Sequence, residues 1–160
     1  MSKKLAAYFS ASGVTAELAR TLAKAANADL YEIKPEVPYT NDDLNWRNAQ
    51  SRSTIEMRNS SSRPAIADKD ANIAEYDIIF VGFPIWWYAA PTIINTFLES
   101  YDFAGKTIIP FATSGSSGFG NTLEKLKPLV SAAAVWKEGK LLNGKPSIDT
   151  LSAWISSLNL

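Results

Sequence analysis

Apolar and polar positions along this chain fall into blocks of different period, and each period predicts an element. Leu5, Ala6, Ala7, Tyr8 and Phe9 form an unbroken apolar run, too short and too dense for a surface helix, which reads as a strand buried on both faces. Val14, Leu18, Leu22 and Ala26 then recur every four residues and predict a helix over residues 14–26, with Glu17 at its positive end. Leu30, Glu32 and Lys34 alternate with Tyr31 and Ile33, the pattern of a strand exposed on one face and expected at a sheet edge, with Pro35 and Pro38 closing it. After Asp77, residues 78–83 are a second continuous apolar run, so a central strand is expected over 77–83, which Pro84 ends. Pro91 suits the first turn of a helix that carries Ile93, Ile94, Phe97 and Leu98 to about residue 100.

Residues 107–113 predict the next strand and residues 121–130 the next helix, with Leu123, Leu126, Leu129 and Val130 inward and Pro128 shortening or bending it. A last strand is expected over 132–136, a polar hairpin-like excursion over 137–145, and a closing helix from Pro146 or Ser147 with Ile148, Leu151, Ile155 and Leu158 on one side. Residues 36–69 are polar and long for a plain loop. Helix is expected there around 41–46 and 49–58, supplying the crossover between two parallel strands. Alternation of strands and helices argues for an α/β fold, a parallel sheet with helices on both faces, whose ligands sit at the carboxyl ends of strands.

Candidate chemistry lies at three such ends. After the first strand, Ser10, Ser12, Gly13, Val14 and Thr15 set three hydroxyls and the free amides of a helix start around one point. The stretch lacks both the Gly-x-Gly-x-x-Gly spacing of a dinucleotide fold and the Lys-Ser/Thr ending of a Walker A loop, and it has no cation. A terminal monophosphate, with three outer oxygens to satisfy, matches it. The same residues would also make an ordinary capped strand-to-helix turn. After the third strand come Pro84, Ile85, Trp86, Trp87 and Tyr88; consecutive aromatics on a bent loop point in different directions, so at least one ring should meet solvent or a ligand. A planar tricyclic ring system is one partner, gaining roughly 0.5 to 1.5 kcal/mol beyond area burial, and a hydrophobic dimer patch or lipid-facing knob is the other reading. After the fourth strand, Thr113, Ser114, Gly115, Ser116 and Gly118 let backbone amides approach a ligand edge; alone, they would also suit a flexible linker.

Ser10, Ser12, Gly13 and Thr15 resemble the phosphate loop of the flavodoxin-like flavoproteins, which hold FMN. Residues 82–91 and 113–120 resemble that superfamily's two isoalloxazine-contacting loops, in the expected order. Tyr31, Glu32, Ile33 and Pro35, with Ser51-Arg52 and Arg63-Pro64, are similar to a short-chain bacterial branch of these flavoproteins, so the resemblance covers almost the whole chain. It implies a flavodoxin-like doubly wound sheet of five parallel strands in the order 2-1-3-4-5, with FMN as cofactor and the flavin's pyrimidine edge read by the 113–120 loop. Trp46 then reads either as a packing anchor or, with Arg47 and Arg52, as a group reaching over the flavin to admit substrate.

Composition narrows the chemistry further. With no Cys and no His, disulfides, thiolate nucleophiles and cysteine- or histidine-ligated metals are excluded, no metal is expected, and chemistry carried by a cofactor is favoured; the resemblance implies that flavin N5 carries it. Sixteen basic residues balance sixteen acidic ones, so neither a nucleic-acid partner nor a polybasic membrane anchor is expected. No apolar run approaches the roughly 20 residues that span a bilayer. The reading is cytoplasmic, with residues 1–160 as one domain. Within the resemblance, three functions stay open: an oxidoreductase passing a hydride or electrons from NAD(P)H to a quinone or similar acceptor, a flavodoxin-type electron carrier, and a non-catalytic FMN-binding module. Known carriers of this kind are strongly acidic, and this chain is not. The sequence leaves a homodimer open.

Overall fold

A computed structural model of the protein describes residues 3–114, 119 and 122–160. Three strands form the centre of its sheet: β1 (Lys4–Tyr8), β3 (Ile78–Pro84) and β4 (Thr107–Thr113), all parallel. The edge strand β2 (Asp29–Glu32) pairs with β1, and the strand order runs β2-β1-β3-β4-β5, as expected for the doubly wound arrangement. Between strands lie α1 (Val14–Ala26), α2 (Arg52–Arg58), α3 (Thr92–Glu99) and α4 (Thr122–Leu126), and α5 (Ile148–Ser157) follows the last strand.

The unbroken apolar strands follow from burial on both sides. Ala6, Tyr8, Phe80, Ile109 and Phe111 pack with Leu18 and Leu22 of α1 and Leu151 and Trp154 of α5. The alternate residues Leu5, Ala7, Ile79, Val81 and Ile108 pack with Ile93, Ile94 and Phe97 of α3. A period-2 backbone with a helical layer on each face leaves no position for a polar side chain. In α5 Leu151 and Trp154 are buried and Ile155 and Leu158 pack partly buried against the same core, whereas Ile148, at the first turn, is exposed. Gly82 is fixed by packing, because a Cβ there would lie 2.2 Å from the Phe111 ring on the neighbouring strand. Among the described residues, no helix is long and apolar enough to cross a membrane.

Three local expectations need correction. The fifth sheet position is divided between β5 (Val135–Trp136) and β6 (Lys140–Leu141), both parallel to β4, so residues 137–145 are not a hairpin. Pro110 explains the division. The carbonyls of Ile108 and Ala112 accept from Lys137 and Leu142 on this side of β4, and Pro110, midway between them, has no N–H to offer. Residues 41–46 form turns, and helix is confined to α2. Pro91 caps α3 from outside its first turn. Pro128 does shorten the fourth helix, which tightens into a 3₁₀ turn over Lys127–Leu129.

The crossover from β2 to β3 is an excursion tied at its base. Pro35 and Ile66 form an antiparallel bridge, flanked by backbone bonds from Glu36 to Ala65 and from Ala67 to Lys34. Farther out, Arg63 pairs with Glu99 of α3 and the hydroxyls of Ser62 and Thr92 lie 2.8 Å apart. These ties hold the excursion beside the loop after β3.

Candidate functional site

The loops leaving β1, β3 and β4 meet the excursion around a cleft of about 430 Å³ at the carboxyl ends of the central strands. Its lining includes Ser12, Pro84, Ile85, Trp86, Trp87, Tyr88 and Ser114, together with Trp46 from the excursion. Three motifs far apart in the chain therefore share one space. Gly115, Ser116 and Gly118 lie outside the described residues.

At the first loop, the Ser10 hydroxyl oxygen accepts the N–H groups of Gly13 and Ala16, each at 3.1 Å. Two donors of the first helical turn are thereby satisfied, and the Ser10 O–H is left to donate elsewhere. Gly13 takes φ 96° and ψ −13°, a left-handed conformation open to glycine at no steric cost. The N–H groups of Ser12, Val14 and Thr15 find no hydrogen-bond partner among the described residues. Thr15 is buried with its Oγ1 2.8 Å from the equally buried Thr113 Oγ1. When Thr113 donates in this pair, the Thr15 proton is left for a third group. Thr113, expected beside the ring-binding loop, thus sits under the first loop. Thr113 and the exposed Val14 line a separate cleft of about 370 Å³ with Asn143.

The aromatic loop has a different construction. Trp86 and Ala89 exchange two backbone hydrogen bonds, at 2.9 and 3.1 Å, around a two-residue turn. Its central residues Trp87 and Tyr88 both have positive φ, 49° and 62°. A turn of this hand normally takes Gly, Asn or Asp, and holding a bulky side chain there costs about 1 to 3 kcal/mol per residue. The turn sorts the three rings. Trp86 is partly buried and meets Phe9 edge-on at 5.8 Å and Tyr39 at 5.6 Å, whereas Trp87 and Tyr88 are 42% and 62% exposed. Thr122 at the start of α4 donates its hydroxyl to the Phe119 carbonyl, and its Oγ1 lies 3.5 Å from the Tyr88 carbonyl oxygen.

Tyr39 is held by a small polar network. Its hydroxyl donates to the Glu56 carboxylate, and burial, reinforced by that bond, pushes the phenol well above its usual pKa. Arg52 Nε donates to Glu56 at 3.0 Å, its guanidinium lies 3.8 Å from the Tyr39 ring centre, and Nη1 donates to the Val37 carbonyl. Arg52 therefore does not reach the cleft, contrary to one sequence reading, while Trp46 is 64% exposed and lines it. Phe119 packs against the core on the α3 face of the sheet, with its ring beside Gly139.

Sequence reasoning missed Ala11, Leu44 and Ser53 of the lining and Asn143, whose Oδ1 accepts the Ser114 N–H at 2.9 Å. Ala11 stood inside a recognised motif. The other three carry no local signal, because only the tertiary path of the excursion and of the β6 edge brings them in.

A family profile described as flavodoxin matches residues 3–158 of the chain. A solved structure of an inferred flavoprotein from Bacteroides eggerthii is 48% identical, covers all of this chain and 99% of its own, and superposes with a TM-score of 0.94. A flavoprotein from Lactobacillus acidophilus, solved in complex with FMN, is 18% identical with full coverage of both chains and a TM-score of 0.74, a likeness of fold alone. The FMN-dependent NADH:quinone oxidoreductase 4 of Bacillus cereus is 28% identical over 113 residues, 69% of this chain and 52% of that protein. The chain thus spans about half the length of the curated relatives it matches.

Proposed function

The chain belongs to the flavodoxin family, and from that premise we propose that it holds FMN in the cleft at the ends of β1, β3 and β4 and works as an oxidoreductase, taking reducing equivalents from NAD(P)H to a small acceptor such as a quinone. The observation that carries this reading is the meeting of a hydroxyl- and amide-lined helix start with an aromatic cleft that no carboxylate lines among the described residues.

The donor set fits the cofactor at both ends. Free amides at Ser12, Val14 and Thr15 and the hydroxyls of Ser10, Ser12 and Thr15 offer a phosphate neutral donors, with the positive end of α1 behind them. Trp86, Trp87 and Tyr88 would bound a flat ring, and Ser114 stands at its polar rim. Bound FMN supplies the redox chemistry, accepting a hydride or electrons at its ring. The chain's own contribution is to fix the tail, exclude water with the aromatic loop and leave an approach for a second flat molecule beneath Trp46 and Trp87. The activity named for the Bacillus relatives supports an oxidoreductase, and the formal net charge of zero weighs against an acidic electron carrier.

Anaerobic titration of FMN-loaded protein with NADH and NADPH, followed by its yellow absorbance, tests this function. Rapid bleaching, reversed by added quinone, is expected. Bleaching by a reduced protein partner only would replace the enzyme with a carrier, and protein that never takes up FMN would overturn both.

A further inference from the structure

A second cavity, of about 450 Å³, adjoins the cleft and shares Trp46 and Trp87 with it. Its remaining walls have a different character: Arg47 and Arg58 line it beside Thr54 and Met57, and among the described residues no carboxylate does. The two arginines also differ from the others of the excursion. Arg52 is bonded to Glu56 and Arg63 to Glu99, whereas Arg47 and Arg58 have no carboxylate partner among the described residues. The Arg47 guanidinium lies 4.9 Å from the Trp46 ring centre, which holds a planar cation at the partition between the two cavities.

Unpaired arginines on an open surface are ordinary. Two of them facing one cavity, with aromatic rings separating it from the proposed ring site, form a cationic recess beside an apolar slot. A molecule with a flat reactive head and an anionic tail satisfies both at once. We propose that this recess seats the diphosphate of the reduced nicotinamide nucleotide, with Arg47 and Arg58 giving it charge-assisted hydrogen bonds while the nicotinamide passes Trp46 and Trp87 into the cleft. The inference rests on the oxidoreductase reading and names the binding site of its donor. It also replaces the Arg47 and Arg52 pair suggested by sequence with Arg47 and Arg58.

The test uses FMN-loaded protein and ADP-ribose, which carries the diphosphate but cannot transfer a hydride, so the recess is measured without turnover. Calorimetric titration of the wild type should show binding that weakens with salt. Joint replacement R47A/R58A should weaken it tenfold or more and raise the KM for NADH by a similar factor. R20A, whose arginine lies on α1 away from the recess, should bind ADP-ribose as the wild type does. The joint lysine variant R47K/R58K should recover part of the affinity, which separates lost charge from a fold defect. Equal ADP-ribose affinity in wild type and R47A/R58A would overturn the inference. Failure of the wild type to be reduced by NADH or by the phosphate-free donor 1-benzyl-1,4-dihydronicotinamide would instead refute the oxidoreductase reading.

Discussion

The turn after β1 and the loop after β3 border the same cleft, yet they are built on opposite principles. The first is local: Ser10 caps Gly13 and Ala16 within six residues, and Gly13 supplies the left-handed bend at no steric cost. The second is imposed from outside. Trp87 and Tyr88 are held in a conformation their side chains disfavour, and Trp86 beside them is gripped by Phe9, just past the end of β1, and Tyr39 from the excursion. A site that must seat a small symmetric anion can be made from a few adjacent residues. One that must shape a slot around a broad flat ring needs walls from distant parts of the chain, with tertiary packing offsetting the local strain.

The largest test of this contrast is Trp86→Ala. Removing the ring that Phe9 and Tyr39 enclose should cost about 2 to 4 kcal/mol of stability and weaken FMN binding as well. Urea unfolding of the apoprotein measures the first and fluorescence titration with FMN the second; an unchanged unfolding midpoint would break the comparison. Next is Thr15→Val. It deletes a buried hydroxyl that faces Thr113 and should reduce FMN affinity by about 1 to 3 kcal/mol, with riboflavin, which has no phosphate, much less affected. Equal losses for FMN and riboflavin would mean that Thr15 serves the fold and not the phosphate.

The same contrast decides what could be read from the sequence. The central strands, α1 and the uncharged helix start depend on periodicity and on residues a few positions apart and are legible in the sequence, whereas the sheet order follows only from the family resemblance. Trp46, which the sequence reads as either packed or over the cleft, is exposed at the cleft, and residues 41–46 form turns and not the helix their sequence suggests. Tyr39 drew no notice, since its role exists only through Glu56, Arg52 and Trp86. The division of the last sheet position depended on which side of β4 the nitrogen of Pro110 faces, which periodicity does not reveal.

Tyr39 also gives the contrast a pH signature. Burial and the bond to Glu56 raise the folded phenol's pKa above its unfolded value near 10, so the neutral form is favoured by folding. That contribution is complete below about pH 10 and is lost as the pH rises further. Tyr76, pushed up to about 12 by burial and its bond to Asp29, adds to the same decline. Tyr39→Phe should cost about 1 kcal/mol at neutral pH and make the alkaline decline shallower, seen by comparing urea midpoints near pH 9 and pH 10.5. An unchanged slope would show that the Tyr39 network does not brace the aromatic loop.

The smallest expected effect has the opposite sign. Trp87 sits at φ 49° and is 42% exposed, so replacing it with Asn, which tolerates the left-handed region, should relieve strain while removing little buried surface. Trp87→Asn should therefore stabilise the apoprotein by about 0.5 to 1 kcal/mol and at the same time weaken FMN binding. The two measurements must move in opposite directions, because a residue retained only for the fold would lose stability when removed, and one idle at the surface would change neither. Stability and affinity falling together would place Trp87 with Trp86 as part of the packed core, and the loop after β3 would then be no more strained in function than the turn after β1.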